Sequence, residues 1–248
     1  MSEPWRVFVI SARRPMNVIA MSEHFPPNEP VTWVVPAEEA ESYEATGAKD
    51  ILPVSDPAPG SGRYALSKAR NAAITAACGA GELCIQTDDD LRRLKVLSKT
   101  GKCTVTNWPY VRDLLRQEAR TSSARLIGVP PSSNTLNAKH TRSSFGFIIA
   151  SLMATNTAEV LFDETLPLKE DYDFTCRHLE RFGQVSRLNW LVPDYRHYTN
   201  RGGAVSFRNI ENETETTRRL LKRWPQYLKP HRTREHELSF VTPPRRTQ

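Results

Sequence analysis

Cysteine is scarce in this chain of 248 residues, with only Cys78, Cys84, Cys103 and Cys176 present. None forms a C-x-x-C pair, and the spacings match no zinc pattern. The four are therefore read as reduced side chains packed like small hydrophobes. Long apolar runs are also missing. No stretch approaches the roughly 20 residues that a membrane-spanning helix needs. The first residues, Met1-Ser2-Glu3-Pro4-Trp5-Arg6, lack the basic, apolar and small-residue regions of a signal peptide. A cytoplasmic protein with no membrane partner is the expectation.

What is present fits an ordinary globular chain, with 39% hydrophobic and 25% charged residues. The formal charge of +6 is unevenly spread. Residues 201–248 hold 11 Lys/Arg against 5 Asp/Glu, and the other 200 residues hold 23 of each. A basic excess confined to one end either attracts a polyanion or serves as a solvated tail.

Apolar runs at 5–10, 31–35, 50–54 and 82–86 read as strands. Helical patterns at 37–46 and 63–77 alternate with them. This strand–helix alternation predicts an α/β domain with a mostly parallel central sheet flanked by helices. Such sheets bind ligands at the carboxyl ends of their strands, where Ser11-Ala12-Arg13-Arg14 and Asp88-Asp89-Asp90 fall. Further helices are expected at 110–120 and 172–182, and a basic amphipathic helix at 213–228. Strands are expected at 125–129, 145–150 and 189–192. Residues 132–144 read as a polar loop carrying Lys139, His140 and Arg142, and the last residues read as a tail.

Four features can carry chemistry. Three adjacent carboxylates at 88–90 repel one another, and a hard divalent cation would relieve that repulsion. Acidic residues also favour helix starts, and Leu91-Arg92-Arg93-Leu94 could begin one. Glu170, Asp171 and Asp173 precede a helical pattern, as N-terminal capping groups or as a rigidly placed general base. His197-Tyr198-Thr199-Asn200-Arg201-Gly202-Gly203 joins a potential ligand to glycines that let amides approach an anion. Arg70 and Asn71 lie on a helix, facing a nucleotide or solvent.

Taken in order, Ser11–Arg14, Ala69-Arg70-Asn71, Gln86–Asp90, Lys169-Glu170-Asp171 and His197 resemble the GT-A class of glycosyltransferases. More narrowly they resemble the enzymes associated with TET/JBP-type DNA dioxygenases, including the base J glucosyltransferase and phage DNA glycosyltransferases. The resemblance covers roughly residues 5–205. It implies a GT-A, Rossmann-like domain over 1–210, with a basic C-terminal helix and tail over 211–248. It implies Mn²⁺ or Mg²⁺ held by Asp88, Asp90 and His197, and a UDP-sugar as donor. Asp171, with Glu170 beside it, would be the base of an inverting transfer. Ser11, Arg13, Arg14, Arg70 and Asn71 would lie on the nucleotide side, and Asp89, Asn200, Arg201 and Gly202 near the diphosphate. The acceptor would be a hydroxymethylated pyrimidine in DNA. Arg218, Arg219, Lys222, Arg223 and Lys229 would then touch phosphates. Trp224 and Tyr227 would either stack on a base or dock their helix onto the core. The other readings are a GT-A enzyme with a non-DNA acceptor, a nucleotidyltransferase and a non-catalytic DNA-binding module. A nucleotidyltransferase usually carries a Gly-rich signature near the first strand, and Ser11–Pro15 lacks one.

Overall fold

The computed structural model describes residues 4–55, 66–196 and 209–241. The first half alternates β1 (Trp5–Ile10), α1 (Asn17–Ser22), β2 (Val31–Pro36), α2 (Ala40–Ala45), β3 (Ile51–Val54), α3 (Leu66–Gly79) and β4 (Leu83–Asp88). Then come β5 (Leu91–Leu97), β6 (Cys103–Thr106), α4 (Trp108–Thr121), β7 (Leu126–Val129), β8 (Arg142–Ser143) and β9 (Ile149–Thr155). The chain continues through α5 (Glu170–Phe182), β10 (Ser186–Leu188), β11 (Leu191–Tyr195), α6 (Ile210–Arg223), β12 (Leu228–Pro230) and β13 (Leu238–Phe240).

Eight strands form the central sheet in the order β3-β2-β1-β4-β9-β7-β10-β8. The expectation of a mostly parallel sheet needs correcting on one side. β3, β2, β1 and β4 are parallel neighbours, but β9 runs antiparallel between β4 and β7, and β8 pairs antiparallel with β10. The apolar run of β1 fills both faces. Val7 and Val9 join Met21, Trp33, Tyr43, Trp108 and Leu115 on one side. Phe8 and Ile10 join Ala69, Ala73, Ile74 and Phe174 on the other. Continuous rather than alternating hydrophobicity is what a strand covered on both faces requires.

The acidic triplet does not begin a helix. Asp88 ends β4 and the chain turns at once into β5, which pairs with β11 and β6 in a second, three-stranded sheet. The helix expected at 213–228 stops at Arg223, because Pro225 forces Trp224 out of helical geometry (φ −125°, ψ 49°). Residues 228–240 then form a short hairpin, β12 against β13. α6 and this hairpin pack on α5 through Leu166, Cys176, Leu220, Trp224, Leu228 and Leu238. All four cysteines are free thiols. Among the described residues no helix is long and apolar enough to cross a membrane.

Candidate active site

β1 and β4 are parallel neighbours with Ile10 opposite Asp88, so Ser11–Arg14 and Asp88–Asp90 leave the sheet side by side. Their side chains join them. Ser11 Oγ donates to Asp89 Oδ2 at 2.5 Å, and Arg14 Nη1 reaches Asp89 Oδ1 at 2.8 Å. Ser11 Oγ also lies 2.6 Å from the Tyr43 hydroxyl. Asp89 is 4% exposed and acts as an internal strut. Burial, opposed by Arg14 and Ser11, raises its pKa to about 6. Burial and the Asp88 charge, opposed by Arg14, raise Asp90 to about 6 as well.

Arg70 is 2% exposed and links the acidic turn to α5. Its Nη2 donates to Asp88 Oδ1 at 2.9 Å, Nη1 donates to the Ala150 carbonyl at 2.9 Å, and Nε lies 4.0 Å from Glu170 Oε1. Burial disfavours the charged guanidinium, but Asp88, Glu170 and Asp171 outweigh it and raise its pKa. Asp171 lies in the first turn of α5, where its Oδ1 accepts the Tyr172 N–H at 3.0 Å. Burial and the neighbouring Glu170 push its pKa well above the usual carboxylate range, against the pull of Arg70. Asp173 competes for the base role in sequence but not in space. It is 0% exposed and bound by Arg177 at 2.6 Å, Trp224 Nε1 at 2.7 Å and Arg223 at 3.2 Å.

One cleft of about 640 Å³ collects Ser11, Arg14, Arg70, Asp88, Asp89, Asp90, Glu170 and Asp171 in its lining. Two residues assigned to the nucleotide side lie elsewhere. Arg13 is exposed, with a positive φ of 60°, and does not line the cleft. Asn71 clamps the segment before α5, donating to the Phe162 carbonyl and Glu164 and accepting the Phe162 N–H. His197, Asn200, Arg201 and Gly202 lie outside the described residues. The residue before them, Arg196, donates its N–H to the Asp90 carbonyl at 3.0 Å.

The carboxylates suit a hard cation. Asp90 Oδ1 is buried without a hydrogen-bond partner, and the Asp88 side chain is 24% exposed beside it in the turn. Among the described residues no group of three His, Cys, Asp or Glu forms a complete ligand set. Mg²⁺-type sites commonly use one or two carboxylates, with water and substrate phosphates as the remaining ligands.

The polar loop 132–144 contributes Ser132 and Asn137 to the cleft wall, and sequence reasoning missed the rest of that wall, Pro131, Phe147, Tyr172 and the hairpin residues His231, Arg234, Glu237 and Leu238. The only available signal was Pro225, which marks the end of α6 and frees the following residues to turn back.

Among solved structures, one that matches this chain in part is that of TarS. The match is to the crystal structure of residues 1–349 of S. aureus TarS, at 16% identity and a TM-score of 0.44. It covers 75% of this chain and 58% of the TarS chain, so this chain spans less than two thirds of that structure. No protein-family model and no curated protein matches the sequence.

Proposed function

We propose that this protein is an inverting glycosyltransferase using a UDP-sugar and Mn²⁺ or Mg²⁺, with the hydroxymethyl group of a 5-hydroxymethylpyrimidine in DNA as acceptor. The observation that carries the reaction class is a meeting of two unlike acidic groups in one cleft. The turn Asp88–Asp90 offers a carboxylate oxygen with no protein partner. Asp171, beyond Arg70 in the same cleft, has its pKa raised well above the usual carboxylate range by burial and Glu170, the direction that makes a carboxylate a stronger base.

Asp88 and Asp90 would hold the cation, which when bound supplies positive charge against the diphosphate. Ser11 and Arg14 fix the acidic turn through Asp89. Arg70 fixes Asp88 on one side and faces Glu170 on the other. Asp171 takes the proton of the acceptor hydroxyl. The hydroxyl oxygen bonds to the anomeric carbon, and the carbon–oxygen bond to the diphosphate breaks with its electrons leaving on the diphosphate. Attack from the far face inverts the configuration.

The DNA acceptor rests on the sequence resemblance and on exposed basic residues such as Lys222 and Lys229. Trp224 does not support it. It is 8% exposed, packed against α5, and its N–H is taken by Asp173.

The test is to incubate the full chain with Mn²⁺, a panel of UDP-sugars and DNA containing 5-hydroxymethylcytosine or 5-hydroxymethyluracil, then weigh the digested nucleosides. A hexose or pentose gain on the modified base is expected. Mn²⁺-dependent UDP release without that gain would retain glycosyl transfer and replace the acceptor. Released pyrophosphate would indicate nucleotidyl transfer instead. Asp171→Asn should lower transfer by about 10²–10⁴-fold while UDP affinity stays at the wild-type value. Transfer at the wild-type rate would remove Asp171 from the mechanism.

A further inference from the structure

The C-terminal segment is fastened to the very turn that carries Asp171. Lys169, just before α5, is ion-paired with Glu213 of α6. The Tyr172 hydroxyl donates to the Leu238 carbonyl at 3.2 Å. The Tyr172 ring stacks on Phe147 with centroids 3.9 Å apart and planes at 11°, and Phe240 lies 6.1 Å from each. Asp171 therefore has Arg70 and the acidic turn as neighbours in one direction and Tyr172 and the hairpin in the other. Hairpin residues His231, Arg234, Glu237 and Leu238 share the cleft wall with Asp171 and Tyr172.

The loop of that hairpin presents charge to the cleft. His231 Nδ1 accepts the backbone N–H groups of Thr233 and Arg234, at 3.2 and 3.1 Å, and so braces the turn. Arg234 is exposed and lines the cleft, and among the described residues no ion pair or hydrogen bond engages its guanidinium. Three other arginines of the C-terminal segment are engaged, Arg218 with Glu215, Arg219 with Thr165, and Arg223 with Asp163 and Asp173, and of its exposed basic residues only Arg234 lines the cleft among the described residues. Glu237 lines the same wall. A guanidinium fork without a partner, in a concave site, matches the oxygens of a phosphate or carboxylate. Glu237 would repel such a group and direct it to the Arg234 end.

We infer that the C-terminal hairpin is the acceptor-selecting wall of the cleft, and that Arg234 selects hydroxyl acceptors carrying an oxyanion. This rests on the transfer reading above.

The experiment titrates inorganic phosphate, and separately acetate, into the full chain saturated with UDP and Mg²⁺, following amide resonances by NMR. Wild type, Arg234→Ala and Arg232→Ala are compared, the last being an exposed neighbour outside the cleft lining. Arg234→Ala should weaken anion binding at least fivefold, with UDP affinity and melting temperature unchanged, and Arg232→Ala should match wild type. Binding of phosphate alone assigns a phosphate-bearing acceptor, and equal binding of acetate extends the class to carboxylates. Wild type binding neither anion, or Arg234→Ala binding as wild type does, overturns the inference. An equal loss of UDP affinity in Arg234→Ala also overturns it, by moving Arg234 to the donor. Failure of wild type to bind UDP refutes the nucleotide-sugar reading instead, and the titrations without UDP still score Arg234.

Discussion

A buried arginine is costly unless carboxylates surround it, and Arg70 has Asp88 at 2.9 Å and Glu170 at 4.0 Å. Its charge also lowers the pKa of Asp171. If Asp171 is the base proposed above, Arg70→Met should move the acid limb of the kcat/KM–pH profile upward, because Asp171 then holds its proton to higher pH. An unmoved limb would separate Arg70 from the base. His178 makes a different prediction, about folding. It is 0% exposed, its Nδ1 lies 2.9 Å from the Phe174 carbonyl, and Nε2 has no partner. Burial lowers its pKa from 6.5 to about 4. The folded state thus favours the neutral ring. Its contribution is fully present above pH 6.5 and is lost as pH falls towards 4, by roughly 3 kcal/mol. Urea titrations across that window should show the loss, and His178→Phe should reduce it. An equally steep loss in the variant would assign the pH dependence to other groups.

At the scale of elements, β1, β2 and β4 were legible because their apolar runs are buried on both faces. β5 was not. Leu91 and Leu94 are both buried and three residues apart, which imitates a helix. The spacing arises at a bulge, where Asp194 and Tyr195 of β11 pair with Arg93 and Leu91 and skip Arg92. The hairpin was illegible for a plainer reason. Its strands have three residues each, too few to show a period. In the site, the acidic turn and Asp171 were legible as clustered carboxylates. The spending of Asn71 on residues 162–164 and the burial of Arg70 depend on packing that no local pattern records. Gly128 in β7 is another such case. A Cβ there would come 2.4 Å from Ile148 Cγ2 and 3.1 Å from the Leu152 carbonyl. Gly128→Ala should cost about 1–3 kcal/mol through overpacking, measured by chemical denaturation. An unchanged midpoint would mean that Ile148 and the neighbouring β9 backbone shift enough to admit the methyl.

At the scale of the whole molecule, the eight- and three-stranded sheets share a core, with Leu91, Leu94, Leu191 and Tyr195 packed among Val7, Ile85 and Leu152, and the acidic turn is one of their junctions. β4 delivers Asp88 from the eight-stranded sheet, and β5 carries the chain from Asp90 into the three-stranded one. The end of β11 is attached there as well. Arg196 bonds to the Asp90 carbonyl, and the Tyr195 hydroxyl contacts Thr87 and donates to the Ser151 carbonyl at 2.5 Å. A cation held by Asp88 and Asp90 would act as a rivet between the two sheets. Binding energy spent at that point must be overcome by any motion that parts them. Saturating Mg²⁺ should then slow amide hydrogen exchange in β4, β5 and β11 together, while β2 and β3, remote from the seam, exchange as before. Protection confined to the turn would mean that the sheets already open as one unit. If Asp88 and Asp90 hold the cation proposed above, substrate chemistry and mechanical integrity become two readouts of one pair of carboxylates, and a chelator should then loosen the molecule as well as silence it.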